Sequence, residues 1–202
     1  MRNIFLALLG VFVACGSTCA QQAPAQKPAT PQQAPAAPPQ DLSARVPPAK
    51  PDDVKSLDAI LRAVYDVISG PAGERDWNRF RSLFVPEARL TSTAKNAASS
   101  SVRLLTVDEY VLRAGKYFTT HGFYETAIVN RVEKFGNIAQ VFSSYESRNA
   151  AADKPFVRGI NSIQLFNDGS RWWVLSILWD EESPANPLPA DMATRSSASI
   201  TQ

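Results

Sequence analysis

Residues 156–181, FVRGINSIQLFNDGSRWWVLSILWDE, decide the fold of this chain. They predict two long strands joined by a tight turn at residues 167–169, because Asn, Asp and Gly tolerate the positive φ that such turns need. Both arms are rich in Ile, Leu, Val, Phe and Trp, which suit a pleated sheet. The stretch therefore indicates a β-hairpin at the centre of a sheet.

The second arm of this hairpin is apolar on both faces. By strict alternation, one face carries Trp173, Leu175, Ile177 and Trp179, and the other carries Trp172, Val174 and Leu178. A strand that is apolar on both faces must be covered on both. We expect the domain's own helices to cover one face and a second copy of the chain, in a homodimer, to cover the outer face.

The first 52 residues predict an export signal and a linker. Residues 1–20 have a positive start at Arg2, a short apolar run and small residues before a cut after Ala20, which is typical of a secretory signal. A second interpretation is a lipoprotein cut before Cys15, with a lipid anchor on that residue. The first interpretation predicts a periplasmic or secreted protein, and the second predicts an exported lipoprotein. Neither includes a membrane span, since the apolar run is too short for one. Residues 21–52 are rich in Pro, Ala and Gln and predict a disordered linker.

The folded part is predicted at residues 53–187, followed by a flexible tail at 188–202. The net charge of +2 and the lack of a basic stripe argue against nucleic-acid binding. Both cysteines, Cys15 and Cys19, lie in the signal segment, and the chain has one histidine. We therefore expect no metal site, no thiol chemistry and no cofactor.

Helical spacing and capping residues predict three helices. Asp53 or Ser56 begins the first, which ends before the Gly-Pro at 70–71. Asp76 begins the second. Thr106 begins the third, in a capping box with the Glu three residues later.

Strands are predicted around these helices and after them. Two are short, at 88–93 and 101–105, and two are long, at 123–134 and 138–148, before the hairpin. Helices followed by long antiparallel strands, without βαβ alternation, indicate an α+β domain. We expect a cone-shaped, curved antiparallel sheet wrapped around three N-terminal helices and enclosing a cavity.

Several packing and turn features resemble those of one family. They are Asp76-Trp77 before Phe80 and Phe84, Pro86-Glu87-Ala88, and the segments 136–141 and 168–173. On these features, residues 56–182 resemble the nuclear transport factor 2-like superfamily, also called SnoaL-like. The resemblance implies a cystatin-like cone. Its members include isomerases, dehydratases, cyclases, epoxide hydrolases, transport adaptors and binding domains, so it does not choose a function.

Tyr65, His121 and Glu125 are the candidate catalytic residues. By the resemblance, Tyr65 lies where ketosteroid isomerases carry a tyrosine donor, while their base and acid positions fall near Ser92 and Ser162. Serine cannot act as a carboxylate base, which argues against that isomerase chemistry. His121 is either a general acid or base or a helix C-terminal histidine that interacts with the helix dipole.

An apolar pocket with few ionisable groups is expected inside the cone. The candidates for its lining are Tyr65, Trp77, Phe84, His121, Tyr145, Ser162, Gln164 and Trp179. We expect this pocket to bind a small hydrophobic ligand without established catalysis. Two alternatives stay open: a pocket enzyme of the isomerase, dehydratase or cyclase type, and an envelope protein-interaction module.

Overall fold

The computed structural model describes residues 41–95 and 99–194, without the side chains of residues 94 and 95. The predicted signal peptide, Cys15 and the linker up to residue 40 lie outside these residues. Among the helices that the structure describes, none is both long and apolar enough to cross a membrane.

Six strands form one curved, open sheet that runs beside a small set of helices. The elements in chain order are a 3-10 turn at Ser43–Arg45, α1 Pro51–Val54, α2 Leu57–Ile68, α3 Trp77–Ser82, β1 Phe84–Lys95, β2 Ser100–Thr106, α4 Val107–Phe118, β3 Tyr124–Phe135, β4 Ile138–Arg148, β5 Val157–Asn167, β6 Trp172–Glu181 and a 3-10 turn at Ala190–Met192. The strand order is β2-β1-β6-β5-β4-β3. Only β1 and β6 pair in parallel. The predicted α+β class is confirmed.

The helices begin where the capping residues predict. Ser56 caps α2 by accepting a hydrogen bond from the Ala59 backbone N–H at 3.1 Å. Asp76 caps α3, and the capping box of Thr106 and Glu109 begins α4. The apolar face of α2 then packs against the inner face of the sheet in one core. Each cap satisfies backbone donors that the first helical turn leaves open.

Two arginines fix the short helices and the loop after α2. Arg79 binds both carboxylate oxygens of Asp53, at 2.7 and 2.9 Å, and it also binds Asp66 at 2.6 Å. Asp53 therefore joins α1 to α3 and does not cap α2. Arg75 donates hydrogen bonds to the backbone carbonyls of Ile68, Gly70, Pro71 and Gly73. The Gly70 carbonyl also accepts from the Phe123 backbone N–H, and the other three are acceptors at the end of α2 and in its loop.

Asp168 organises the turn between β5 and β6. Its Oδ1 accepts hydrogen bonds from the backbone N–H groups of Ser170 and Arg171, and its Oδ2 accepts one from Trp173 Nε1 at 2.7 Å. Partial burial raises the pKa of Asp168, but these hydrogen bonds outweigh it and hold the pKa at about 2. Gly169 supplies the positive φ, +97°, that the sequence predicts for this turn.

A β-bulge in β6 changes which of its side chains face the helices. Leu165 pairs with Val174 and Gln164 pairs with Ser176, so Leu175 has no partner in this ladder. An extra residue of this kind shifts the alternation of the strand. The core side of β6 therefore carries Trp172, Val174, Ile177 and Trp179. The faces assigned to this arm by strict alternation are wrong, because alternation assumes an unbroken ladder.

A second bulge lies in β3. Ala127 pairs with Tyr145 and Val129 pairs with Ser144, so Ile128 is the extra residue. The bulge puts Asn130 on the same side of β3 as Glu125, although they are an odd number of residues apart and Asn130 is exposed. Asn130 accepts a hydrogen bond there from Ser143 at 2.6 Å.

The chain continues onto the sheet after β6. The side chain of Met192 is buried. Its neighbours are held on either side, because Asp191 pairs with Arg131 of β3 and the carbonyl of Ala193 accepts from Arg158 of β5. Residues 188–194, at the start of the predicted flexible tail, therefore pack against the domain.

Candidate functional site

A cavity of about 510 Å³ lies between the inner face of the sheet, α2 and α4. Its apolar lining comprises Val64, Ile68, Phe80, Leu90, Leu105, Ala114, Phe118, Phe123, Phe156, Val157, Ile177 and Trp179. Many of these residues belong to the hydrophobic core, so the cavity is a local gap in the packing between helices and sheet. Apolar concavities of this size are typical of sites for small organic molecules.

Glu125 is the ionisable group in the inner wall. It follows the bridge between Gly70 and Phe123 at the start of β3, and its backbone N–H donates to Ser69 Oγ at 2.9 Å. Burial raises the pKa of Glu125 to about 7, although hydrogen bonds from Ser147 and Asn161 lower it. The Ser147 hydroxyl donates to Oε2 at 2.8 Å. Near neutral pH this carboxyl can therefore either accept or donate a proton.

Two tyrosine hydroxyls face open space beside Glu125. Tyr110 of α4 and Tyr145 of β4 both line the cavity. Within residues 41–95 and 99–194, neither hydroxyl takes part in a side-chain hydrogen bond. Every fully buried polar side-chain atom in those ranges has a hydrogen-bond partner, so these two hydroxyl oxygens are not fully buried. Both hydroxyls are therefore accessible to a ligand. Burial, and then the charge of Glu125, raise the pKa of both phenols, so they stay protonated and can donate.

Gly159 makes room for Tyr145. A Cβ at this position would lie 2.6 Å from the Tyr145 hydroxyl oxygen and 2.3 Å from the carbonyl oxygen of Asp180. Both distances are too short for any side chain. A glycine on β5 is therefore required for Tyr145 to keep its position in the cavity wall.

Tyr65 lies behind this wall in a buried hydrogen-bond chain. Asn161 Nδ2 donates to the Tyr65 hydroxyl at 3.1 Å, and the hydroxyls of Tyr65 and Ser143 are 2.5 Å apart. Ser143 gives its own proton to Asn130, so Tyr65 must donate to Ser143. The Tyr65 proton is thus not free for a ligand. Tyr65 instead positions Asn161, which contributes to the cavity lining and interacts with Glu125.

The opening of the cavity is charged and polar. Arg103 of β2, Arg113 and Tyr117 of α4, and Glu181 of β6 all line it, and all four are exposed. The less exposed part of the lining is different in character, since its polar residues include Glu125, Tyr110, Tyr145, Ser147 and Asn161. The interior of the cavity therefore holds one carboxyl group, that of Glu125, and no positive side chain. The exposed part of the lining holds two positive side chains and one negative side chain.

The structure brings together three of the predicted site residues, Glu125, Tyr145 and Trp179, in the cavity wall. His121 does not reach it. The histidine is exposed at the end of α4, where its ring stacks on Tyr117 at 4.3 Å and its Nδ1 lies 3.1 Å from the Tyr117 carbonyl oxygen. This is the helix C-terminal arrangement that the sequence left open as an alternative.

The other predicted lining residues lie elsewhere. Trp77 and Phe84 pack in the core, where Trp77 stacks on Phe118. Ser162 and Gln164 lie on the outer face of β5 and bond to side chains of the neighbouring strands. Among the described residues, no group of three His, Cys, Asp or Glu side chains could hold a metal ion.

Sequence reasoning missed several residues of the site. They are Tyr110, Ser147, Asn161, Arg103 and Arg113. The helical spacing of Tyr110, Arg113, Ala114 and Tyr117 is a signal that could have found the α4 side, because positions i, i+3, i+4 and i+7 share one face. No comparable signal identifies Asn161, since β5 carries polar and apolar residues on both faces.

Known proteins share the fold of this chain. No protein-family model matches the sequence, and no curated protein is significantly similar to it. The beta subunit of a candidate aromatic-ring-hydroxylating dioxygenase from Novosphingobium aromaticivorans superposes with a TM-score of 0.50 at 12% identity, covering 64% of this chain and 88% of that one. A function-unknown protein from Mycobacterium tuberculosis also gives 0.50 at 12% identity, covering 68% and 77%.

A third similar structure is an NTF-2-like protein of unknown function from Silicibacter pomeroyi, with a TM-score of 0.46 at 12% identity, covering 63% of this chain and 94% of that one. The two structures with a TM-score of 0.50 show the fold of this chain. The predicted family resemblance and the cone are confirmed at the level of the fold. Identities this low carry no activity over to this protein, so its cavity must be interpreted from its own residues.

Glu125 should make the stability of the protein depend on pH. Between pH of about 4.5 and about 7, the unfolded chain releases a proton that folded Glu125 retains, so the free energy of unfolding falls across this window and levels off above it. The difference amounts to about 3 kcal/mol. Glu125→Gln should remove this fall, measured by urea unfolding at several pH values.

Glu133→Gln is the matched control, because Glu133 is exposed on the same strand. It should leave the pH dependence of the wild type unchanged. Identical pH profiles for the wild type and Glu125→Gln would contradict the raised pKa.

Proposed function

We propose that the cavity binds a small, mostly apolar organic molecule that carries one hydrogen-bonding group at its inner end. The observation that supports this most is the convergence of three polar groups, from Glu125, Tyr110 and Tyr145, in a cavity with a mostly apolar lining. Apolar surface supplies affinity, and a few placed polar groups fix the orientation of a ligand. A carbonyl or hydroxyl oxygen suits these donors.

Filling the cavity should abolish ligand binding. Ala114 lines it from α4, so Ala114→Phe places a ring in the space of the ligand. We expect this variant of the full-length protein to bind the apolar fluorescent probe N-phenyl-1-naphthylamine at least about tenfold more weakly than the wild type, a loss of about 1.4 kcal/mol of binding free energy. Fluorescence titration measures the change.

Leu112→Phe is the control, because Leu112 lies on the same helix, is 65% exposed and does not line the cavity. It should bind the probe like the wild type, and thermal unfolding checks that both variants fold. If folded Ala114→Phe keeps wild-type affinity, the cavity is not the binding site.

A second candidate function is proton transfer on the bound molecule. Glu125 favours it, because a carboxyl with a pKa near 7 beside two tyrosine donors can remove a proton from carbon next to a carbonyl while a phenol stabilises the enolate oxygen. The proton passes from carbon to the Glu125 carboxylate, and returning it to another carbon would complete an isomerisation.

Deuterium exchange tests this candidate directly. In D2O, the wild type should speed the exchange of the acidic C–H groups of 2-tetralone, an apolar ketone, as followed by proton NMR. Glu125→Gln should slow the catalysed exchange by about 10²- to 10⁴-fold. His121→Gln should have no effect, because His121 lies outside the cavity. Binding of the ketone without faster exchange would leave the protein a binding domain.

We also propose that the outer face of the sheet pairs two copies of the chain. The strand registers place Leu104, Leu178 and Phe142 in one row across that face. Their exposed fractions are 64%, 44% and 41%. Thr91 and Ser162 lie between them in this row, so exposed apolar side chains occupy every second strand of this part of the face. Exposed apolar side chains grouped in this way are typical of an interaction surface.

Light scattering on the eluate of a size-exclusion column tests the homodimer. The wild type should elute as a dimer, and Leu178→Glu should shift it toward the monomer, because a buried unpaired carboxylate opposes association. Leu112→Glu adds the same charge to α4, away from the sheet, and should remain dimeric. A monomeric wild type at high concentration would refute the homodimer and direct attention to a different protein partner.

A further inference from the structure

The charges along the cavity point to a narrower class of ligand. We infer that the ligand is an amphipathic organic anion, with its carboxylate or sulfonate between Arg103 and Arg113 at the opening and its apolar body in the cavity. This inference rests on the proposed binding function. It adds that the ligand carries a negatively charged group, that this group lies at the opening of the cavity, and that the apolar body points inward.

Arg103 and Arg113 occupy the outer end of two lining elements. On β2, Leu105 is the half-buried lining residue, and the next residue on the same face, Arg103, is exposed. On α4, Arg113 lies three residues, just under one helical turn, beyond Tyr110, which also lines the cavity. Each element thus passes from an apolar or aromatic side chain to a guanidinium along the path that a ligand would follow inward.

Neither guanidinium is occupied by the protein. Within residues 41–95 and 99–194, no ion pair or side-chain hydrogen bond engages Arg103 or Arg113. Arg79 and Arg158, by contrast, each bind both oxygens of a carboxylate. Arginine presents planar donors that match carboxylate and sulfonate oxygens. Two unoccupied guanidinium groups at the opening of one cavity therefore form a site for an anion.

The acidic groups of the cavity fix the orientation. Glu125 at the inner end repels an anion whenever it is ionised, so the charged group of the ligand must stay at the opening. Glu181 also lines the cavity and is exposed, and its negative charge opposes the binding of an anion. Two positive charges against one negative charge still favour the binding of an anion. Removal of the Glu181 charge should therefore increase the affinity for an anion.

Two probes that share the N-phenylnaphthylamine framework separate the charge from the apolar body. They are 8-anilinonaphthalene-1-sulfonate, which carries a sulfonate, and uncharged N-phenyl-1-naphthylamine. Fluorescence titration of the full-length protein gives the affinity of each. In the double variant Arg103→Gln, Arg113→Gln, the sulfonate probe should bind about fivefold more weakly and the uncharged probe equally well.

Variants of opposite sign and of matched charge act as controls. Glu181→Gln should strengthen binding of the sulfonate probe alone. Lys116→Gln removes one positive charge from the exposed face of α4, outside the cavity, and should change neither affinity. Ala114→Phe should abolish the binding of both probes, which would show that the fluorescence signal comes from probe bound in the cavity. Added salt should weaken the sulfonate probe in the wild type more than in the double variant.

The outcomes distinguish this inference from the proposed function. If the arginine variant leaves the ratio of the two affinities unchanged, the anion site is refuted and the apolar binding site stands. If the wild type binds neither probe, both are refuted. Because both arginines are exposed and unpaired in the described part of the chain, the double variant should unfold at the wild-type temperature.

Discussion

Side chains alternate between the two faces of the sheet, and one extra residue in each of two strands breaks this alternation. These two breaks determine which side chains face the helices. Without the extra residue Leu175, Ile177 and Trp179 would face outward and Leu178 would face the helices. The extra residue Ile128 similarly puts Asn130 on the same side of β3 as Glu125, where it accepts a hydrogen bond from Ser143 behind the cavity wall. Bulges also increase the local twist and bend of a strand, which a sheet needs if it is to curve around helices. One backbone feature therefore supplies both the curvature and the lining.

The polar groups inside the cone fall into a satisfied set and an accessible set. Tyr65, Ser143 and Asn161 bond to one another, so they fix the wall and offer little to a ligand. For Glu125, hydrogen bonds offset only part of the cost of burying the charged carboxylate, so burial raises its pKa. A buried carboxyl of this kind lowers the stability of the folded state at neutral pH. Its retention is easier to explain by function than by folding.

The sequence predicts the local features of this fold well and the contents of the cavity only in part. Capping by Ser56 and Thr106 depends on side chains a few residues away, so sequence alone reveals it. Which side chains of β6 face the core depends on the pairing of β6 with β5, and no local sequence pattern encodes that pairing. β5 itself has apolar residues on both faces, so Ser162 was as plausible a lining residue as Asn161. Only the packed sheet distinguishes them.

The distribution of ionisable groups favours recognition over an elaborate reaction. His121, the histidine of the chain, stacks on Tyr117 outside the cavity, so no imidazole can work with Glu125. The chemistry left to the interior is a single proton transfer assisted by phenols. The proposed binding function uses more of the side chains that line the cavity, because the apolar wall, the inner donors and the two arginines would each contact a different part of one amphipathic molecule.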